Sequence, residues 1–395
     1  MGSSAMPMLN RRARQAALIL SLWLAVPLSA PAQELSSVPS ASVTPNTQGT
    51  HETGDHESAP VAGEYPSLHL SGFADVDFAA QDKSEGARGF TEGQLVLHLA
   101  SALSSRVSFF GEVSFTPRAD AGTGTPAATG FNAEVERLII RFDTSDQLKL
   151  SVGRYHTPIN WWNTAYHHGL WLQTTISRPE MVQFGGKFLP VHFVGALAEG
   201  AIPAGGWNVN YQAGVGNGRG NVISRGGDAG DNNDRPAWVL NVFAKPDTLF
   251  GLQVGGSLYL DRISTPGQPE YSERILSAHA VWLHENPEVI SEIADVRHEG
   301  IATGPATSSL AYYLQGAYRL PGAARLIKPY YRFEHININA ADPVFAGIPS
   351  LDGSTIGVRY DVSTYAAIKT EVRTRRRASD QPLANGWFLQ IAFTF

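Results

Sequence analysis

The stretch WFLQIAFTF (residues 387–395) alternates between apolar and mixed side chains without a break. Trp387, Ile391 and Phe393 fall on one side of the pattern, and Gln390 and Thr394 fall on the other. A period of two is that of a β-strand with two different faces. In a soluble protein, so apolar a strand would be an aggregation-prone edge. In a closed membrane barrel it is paired on both sides with its apolar face against lipid, and the stretch therefore favours a barrel.

The same alternation recurs along the chain from Ser67 onward. Leu95, Leu97 and Leu99, for example, share one face, and His98 lies on the other. Counted in this way, the chain holds about sixteen segments of about ten residues each, which is the length that a tilted membrane strand needs.

The connections between these segments alternate in length. Short connections fall near residues 102–104, 143–146, 199–207, 246–248, 284–287, 320–324 and 361–364. Long connections fall near residues 81–89, 117–130, 156–180, 216–235, 261–271, 298–307, 337–351 and 378–385. Outer-membrane barrels have this asymmetry, with tight periplasmic turns and larger outer loops.

These patterns predict an all-β fold. We expect residues 67–395 to form a transmembrane antiparallel β-barrel of about sixteen strands, because a chain with both ends in the periplasm has an even strand number and eight outer loops give sixteen. The alternative is a soluble β-sandwich, which has no reason to keep the alternation of short and long connections through the whole chain.

The first 32 residues have the features of a cleaved secretory signal. Three arginines precede a short apolar run at residues 16–27, and Ala30 and Ala32 supply small residues before a cleavage site at Gln33. The alternative, a membrane-anchoring helix, is disfavoured because the run falls short of the roughly 20 residues that a span needs. We therefore expect export to the outer membrane.

Residues 33–66 are rich in Ser, Thr, Pro and Ala, and they predict a disordered periplasmic tail. His51 and His56 lie near Asp55 there and could bind a metal, although scattered histidines in a solvated tail usually bind nothing. The whole chain has a net charge of −6. Without the three arginines of the signal and the five acids of the tail the balance is 27 − 31 = −4, which gives a nucleic-acid partner no support.

No common catalytic signature is present. The sequence has no Gly-x-Ser-x-Gly, no His-Glu-x-x-His, no Gly-Lys-Ser/Thr and no cysteine, so we expect neither an enzyme nor a bound cofactor. Two alternatives stay open. One is an outer-membrane barrel enzyme of the phospholipase kind, whose Ser and His would be brought together only by the fold. The other is a purely structural or adhesive barrel.

The longest connection is HTPINWWNTAYHHGLWLQTTISRPE at residues 156–180. Trp161, Trp162, Tyr166 and Trp171 make it too apolar for a solvated surface loop. It is the third outer loop, and its position resembles that of the loop that folds into the lumen of general porins. We expect it to constrict the pore; the alternative is that its aromatic residues merely pack the loop against the wall.

Two resemblances narrow the class. The terminal alternating strand with its final Phe is similar to the ending of bacterial outer-membrane barrels. LSVGRYHTP (residues 150–158), RPEMVQFGGKFLP (residues 178–190) and NYQAGVGNGRG (residues 210–220) resemble porins of the phosphate-selective O and P family. This resemblance implies an outer-membrane channel for passive diffusion of small hydrophilic solutes, with an anionic (phosphate-like) preference and a homotrimer in outer-membrane lipid. The arginine ladder of that family does not map onto this chain residue by residue.

Strand parity predicts which charges face the lumen, because Lys or Arg on the lipid face costs about 2–4 kcal/mol at midplane. Parity places Tyr155 inward, whereas the resembling motif places Arg154 there. The loop charges lean toward anions, since basic groups and histidines outnumber the single acid. The predicted pore-lining or constriction residues are Arg137, Arg141, Lys149, Arg154, His156, His167, His168, Arg178, Glu180, Arg332, Arg359, Lys369 and Arg373.

Overall fold

A computed structural model describes residues 65–395 apart from 83–85, 87, 126, 167, 184–186, 302–303 and 378–382. The predicted signal (1–32) and the predicted tail (33–66) up to residue 64 lie outside the described residues, and so does His167.

Sixteen antiparallel strands close into one barrel, which confirms the predicted all-β architecture and strand number. The strands are β1 (His69–Gln81), β2 (Gly89–Ala102), β3 (Val107–Pro117), β4 (Phe131–Ser145), β5 (Leu148–His156), β6 (His192–Ile202), β7 (Val209–Asn217), β8 (Ala237–Ala244), β9 (Leu252–Ile263), β10 (Tyr271–Leu283), β11 (Glu288–Gly300), β12 (Thr307–Ala317), β13 (Ile327–Asn337), β14 (Leu351–Ser363), β15 (Ala366–Arg376) and β16 (Ala384–Thr394).

Helical structure is minor in the described part of the chain. It comprises the short helix α1 (Trp162–Ala165) and 3₁₀ turns at Glu180–Val182 and Gly322–Ala324. Among the residues that the structure describes, no helix is long and apolar enough to cross a membrane.

The barrel closes where the last strand pairs with the first. Phe73 lies opposite Thr394, and the register continues to Gln81 opposite Gly386. At the rim, Gly72 N–H donates to Phe395 O at 3.0 Å and Phe395 N–H donates to Gly72 O at 3.1 Å. Closure gives the edge groups of β1 and β16 partners, as a sheet in lipid requires.

The terminal strand has the two faces that its alternation predicts. Trp387 and Ile391 are exposed on the outside of the barrel, at 42% and 47%, whereas Gln390 and Ala392 point inward and are buried. Because consecutive residues alternate, the outer face presents apolar side chains to lipid while the inner face can be polar.

Charged groups on the outer face gather toward the outer ends of β11, β13 and β14. Asp295 accepts hydrogen bonds from the Ser308 hydroxyl at 2.8 and 2.9 Å, and His335 Nδ1 lies 2.6 Å from Asp352 Oδ1. Since the cost of a lipid-facing charge falls near the membrane interface, these pairs are expected at that level.

Short and long connections alternate around most of the barrel, but 245–251 and 264–270 have seven residues each and 318–326 is longer than 301–306. Tight turns at 146–147 and 364–365 contrast with residues 157–191 and 218–236. The third long loop, named L3 here, runs over 157–191, so the predicted bounds of 156–180 were wrong at both ends. His156 pairs with His192 as the last step of the β5–β6 ladder, and this pairing sets where L3 begins and ends.

Deleting Phe395 is expected to reduce the yield of folded barrel while leaving the conductance of the folded fraction unchanged. The deletion removes both hydrogen bonds to Gly72 at the closing seam, and Phe395→Tyr is the matched control because it keeps backbone and aromatic ring. Folded and unfolded protein are separated by electrophoresis without boiling. Equal yields for the deletion and the control would contradict this expectation.

Candidate functional site: a loop held inside the barrel

L3 lies inside the barrel. Most described residues from 157 to 191 are buried, including the large side chains Trp161 (2% exposed) and Trp162 (0% exposed). A loop on the outer surface would leave such residues in contact with solvent. The core of the molecule is therefore the packing of L3 against the inner wall.

Aromatic side chains join L3 to the apolar part of the wall. The ring of Tyr166 lies edge-on to Trp161 and Trp162, with centroids 4.8 and 5.1 Å apart. Trp162 in turn meets Tyr313 of β12 at 5.9 Å. Each such ring buries about 150–250 Å² when covered, so these contacts are a strong reason for the loop to turn inward.

Acidic side chains of the wall accept hydrogen bonds from the L3 backbone. Glu292 Oε1 on β11 accepts from the N–H groups of Trp161 at 2.8 Å and Trp162 at 2.6 Å. Glu371 on β15 accepts from the N–H of Ile176 at 2.9 Å. A loop without regular structure needs such partners, because buried backbone groups are costly when unpaired.

Basic side chains of the wall donate to L3 carbonyls. Arg332 on β13 donates to Ser177 O at 2.8 Å and to Arg178 O at 3.0 Å. Its Nε also donates to Glu334 at 2.9 Å, so the guanidinium is both neutralised and hydrogen-bonded. Arg332 therefore fixes the loop near its 3₁₀ turn.

Two further bases act in the same way. Arg359 on β14 donates to Trp171 O at 2.7 Å and Gln173 O at 3.1 Å. Lys369 on β15 donates to Thr175 O at 3.2 Å. Arg332, Arg359 and Lys369 face inward as parity predicts, but L3 covers them: they are 0%, 6% and 0% exposed. Sequence reasoning placed these charges at the pore and could not see what covers them.

The predicted charges on β4 and β5 mostly pair with acids of the wall. Arg137 is paired with Glu112 and stacks over the Phe110 ring at 4.3 Å. Arg141 lies 3.5 Å from Glu199 of β6. Acids of the barrel wall therefore neutralise both guanidiniums. Lys149 lies opposite Asp143 and Glu199 in the strand register.

Arg373 and Arg375 lie where L3 meets β15. Arg375 Nη2 forms an ion pair with Glu180 Oε1 of L3 at 2.7 Å. Arg373 pairs with Glu371 and lies over the Phe388 ring at 3.6 Å. The side chains of Arg373, Arg375 and Glu180 stay 14–16% exposed, unlike the covered bases above. Arg375 was outside the predicted site, although its parity is inward.

The other predicted loop residues gather at the base of L3. His156 Nε2 is 3.4 Å from Glu112, and His168 Nε2 is 3.1 Å from Glu136. His192, which the sequence prediction missed, is 2.8 Å from the same Glu136 oxygen. Its place opposite His156 depends on the length of L3, which the motif pattern did not give.

Arg154 and Arg178 take different positions. Arg154 lies opposite Leu138, an outward-facing residue, but its guanidinium pairs with Glu134 at 3.0 Å and with Asp228. Parity was therefore right to place Tyr155 inward, where it is 3% exposed. Arg178 Nε donates to Val182 O at 2.9 Å, and burial lowers the pKa of its guanidinium from 12.5 to about 9.

A second buried network connects two outer loops near the mouth. Arg219, in the loop 218–236, pairs with Glu273 at 2.9 Å. His298 bridges Glu273 at 2.9 Å and Asp342 at 2.8 Å, the latter in the loop 338–350. Phe345 of that loop stacks on Phe188 of L3, with centroids 5.5 Å apart. No sequence motif indicated this network.

Comparison with known proteins shows the fold. No protein-family model and no curated protein matches the sequence. An anion-selective porin from Comamonas acidovorans is 13% identical, with a TM-score of 0.60, over 84% of this chain and 100% of that one. The trimer form of OmpT from Vibrio cholerae (11%, 0.55) covers 84% and 100%, and the outer membrane channel DcaP of Acinetobacter baumannii (10%, 0.55) covers 84% and 97%.

These neighbours support a porin-type barrel in general. Sequence identity this low shows the fold alone, and the narrower resemblance to the phosphate-selective O and P porins stays a prediction.

Replacing Arg332 by Met should weaken the attachment of L3. Removing one partner of a buried ion pair costs about 3–5 kcal/mol, because the other charge is left uncompensated. We expect a fall of this size in the free energy of unfolding, measured by urea titration in lipid. Arg297→Met is the control, since Arg297 lies on the outer face and is exposed. Equal effects of the two changes would contradict the anchoring role.

Acid should release the loop 338–350. Burial alone would raise the pKa of Asp342, but the hydrogen bond and charge of His298 outweigh it and hold that pKa below its ordinary value of 3.8. A carboxyl with a depressed pKa stabilises the fold above its unfolded pKa, and this contribution is lost as pH falls through the folded value. Hydrogen exchange should show lower protection of residues 338–350 below about pH 3.8 and, at neutral pH, in Asp342→Asn. Full protection in that variant would contradict this assignment.

Proposed function

We propose that the protein is an outer-membrane porin, a passive diffusion channel for small hydrophilic solutes in which L3 sets the narrowest section. The observation that carries the proposal is the position of L3, which crosses the interior of a sixteen-stranded barrel and is fixed there by wall charges. Barrels of this strand number enclose more space than their own wall side chains fill, whereas eight-stranded barrels do not.

The packing of L3 limits the size of the solute. Its apolar residues pack against inward-facing side chains of the wall, such as Tyr313 of β12 and Phe73 of β1. A solute must pass beside the loop, and the partly exposed edge formed by Glu180, Arg373 and Arg375 is the candidate path. Small polar molecules and ions suit a passage lined by ionised groups.

An anion preference is the finer part of the proposal. It rests on Arg373 and Arg375, whose guanidiniums lie on one strand and remain partly exposed beside a single loop acid, Glu180. Phosphate and carboxylate groups are natural partners for paired guanidiniums. The paired acids Glu371 and Glu180 oppose this preference, so its size depends on how far an incoming anion displaces them.

Location and assembly follow the same proposal. The apolar outer face suits lipid, and export through a cleaved signal would bring the chain to the outer membrane. OmpT of Vibrio cholerae is described in a trimer form, and we propose a homotrimer for this chain. Native mass spectrometry in mild detergent tests this, and a monomeric mass at every detergent concentration would contradict it.

Planar bilayer recording tests the channel. We expect a stable open conductance and, in a salt gradient, a reversal potential on the anion side. The double change Arg373→Gln with Arg375→Gln should move the reversal potential toward cations, because it removes both partly exposed guanidiniums. Arg297→Gln, on the outer face, is the matched control and should change nothing.

Other outcomes would contradict the proposal. A barrel that never conducts would favour a structural or adhesive role. Release of fatty acids from phospholipid vesicles by the wild-type protein would favour a phospholipase-like enzyme. A cation-directed reversal potential in the wild type would remove the anion preference alone and leave the channel proposal standing.

A further inference from the structure

Three histidines meet at the base of L3, and diffusion through the channel gives them no role. His156 is the last residue of β5, His168 belongs to L3 and His192 is the first residue of β6. Each offers a ring nitrogen, and these nitrogens all lie within 4.8 Å of one another. Three consecutive elements of the chain therefore direct imidazoles toward one point inside the barrel.

A carboxylate lies beside two of these histidines. Glu136 Oε2 on β4 is 3.1 Å from His168 Nε2 and 2.8 Å from His192 Nε2. The other oxygen of Glu136 accepts a hydrogen bond from the Ser114 hydroxyl at 2.6 Å, which fixes the orientation of the carboxylate. Glu136 and His168 are buried, so the group is held away from bulk water.

We propose that His156, His168, His192 and Glu136 bind one divalent transition-metal ion of the zinc class. Three imidazoles and one carboxylate are a ligand set that zinc accepts in tetrahedral sites. Nitrogen donors favour Zn²⁺, Cu²⁺ or Ni²⁺ over Mg²⁺ and Ca²⁺, which prefer oxygen. No thiolate is available, since the chain has no cysteine.

The distances require a modest contraction. A tetrahedral zinc ion with ligands at about 2.1 Å holds the ligand atoms about 3.4 Å apart. The contacts of Glu136 with His168 and His192 are already close to that spacing, and the wider nitrogen spacings need side-chain movements of about 1 Å. Gln94 Oε1 lies 3.3 Å from His168 Nδ1 and can accept its proton. That leaves the Nε2 lone pair of His168 for the metal, the usual role of an outer hydrogen bond at a metal-binding histidine.

His192 must change partners when the metal binds. Its Nδ1 lies 3.0 Å from Arg154 Nη2, and because a guanidinium only donates, the neutral ring carries its proton on Nε2, toward Glu136. The metal takes Nε2, so the proton moves from Nε2 to Nδ1 and Arg154 turns fully to its carboxylate partners Glu134 and Asp228. Because a protonated imidazole cannot bind the metal, binding weakens as pH falls.

The surrounding charges favour a cation. Carboxylates around the site outnumber guanidiniums, and an excess of negative charge in a poorly hydrated interior attracts a positive ion. The carboxylates are Glu112, Glu134, Glu136 and Asp228, and the guanidiniums are Arg137, Arg154 and Arg178.

A metal at this point would clamp L3. It would join β4, β5 and β6 to His168 within the loop, adding a cross-link where Arg332 and Glu371 do not reach. The binding itself does not depend on the channel proposal. An effect of the metal on conductance does rest on it, so equilibrium binding and conductance are measured separately.

Zinc binding to the full chain, purified without a histidine tag, tests the inference. After incubation with ZnCl₂ and removal of free metal, elemental analysis should give one zinc ion per chain, and calorimetry should follow its affinity. His168→Ala and His156→Ala should abolish binding, and Gln94→Ala should weaken it about tenfold. The controls are His51→Ala with His56→Ala in the predicted tail and His335→Ala on the outer face, which should keep the zinc.

Three results would overturn the inference. They are an absence of stoichiometric zinc in the wild type, retention of zinc after both His156→Ala and His168→Ala, and loss of zinc in the tail variant. If the histidine variants do not fold, Co²⁺ added to the wild type should give the visible absorption of a tetrahedral nitrogen-ligated site, and a spectrum of hydrated Co²⁺ would equally overturn it. Zinc bound as expected in a protein that never conducts would refute the channel proposal but not the site.

Discussion

The backbone of L3 carries its N–H and C=O groups into the interior of the barrel, and the arrangement of the wall follows from the need to pair them. The strands pair their own backbone groups, and the closure of β1 onto β16 completes that pairing. L3 forms no strand ladder, so ionised side chains of the wall pair its backbone groups instead. Glu292 and Glu371 accept hydrogen bonds from its N–H groups, and Arg332 donates to its carbonyls. Hydrogen bonds to charged groups are stronger than neutral ones, which suits an irregular segment that must stay in place.

An inward-facing Lys or Arg in this barrel does not necessarily line the pore, because it can instead hold L3. In an open porin wall such a residue contributes to the field that ions meet. Here Arg332, Arg359 and Lys369 are covered by the loop that they hold, while Arg373 and Arg375 remain partly exposed at its edge. In the proposed channel, selectivity would therefore depend on few groups, whereas the attachment of L3 depends on many. The metal ion proposed at the histidine cluster would attach the base of L3 to the wall in addition to these charged groups.

The sequence was sufficient for the barrel because its signals are local and repeated. A period of two assigns the face of each strand residue, as Trp387 and Gln390 illustrate, and the alternation of short and long connections gives the strand number. The same reasoning assigned Arg332 to the interior but could not identify Ser177 as its partner, because parity says nothing about what covers a face.

Contacts made by irregular segments were beyond prediction for the same reason. His192 follows a loop whose end the motifs misplaced, and the Glu273–His298–Asp342 network joins residues that no spacing connects. In both cases the partners meet only through the folded path of a loop, which depends on packing rather than on a repeat in the sequence.

In the proposed channel L3 borders the path of the solute, and because the chain has no cysteine, one introduced cysteine can test this directly. A single cysteine introduced as Glu180→Cys, at a partly exposed position of L3, can be treated with a negatively charged thiol reagent during single-channel recording. We predict a stepwise fall in conductance when the reagent reacts. Complete labelling, verified by mass spectrometry, with unchanged conductance would contradict it.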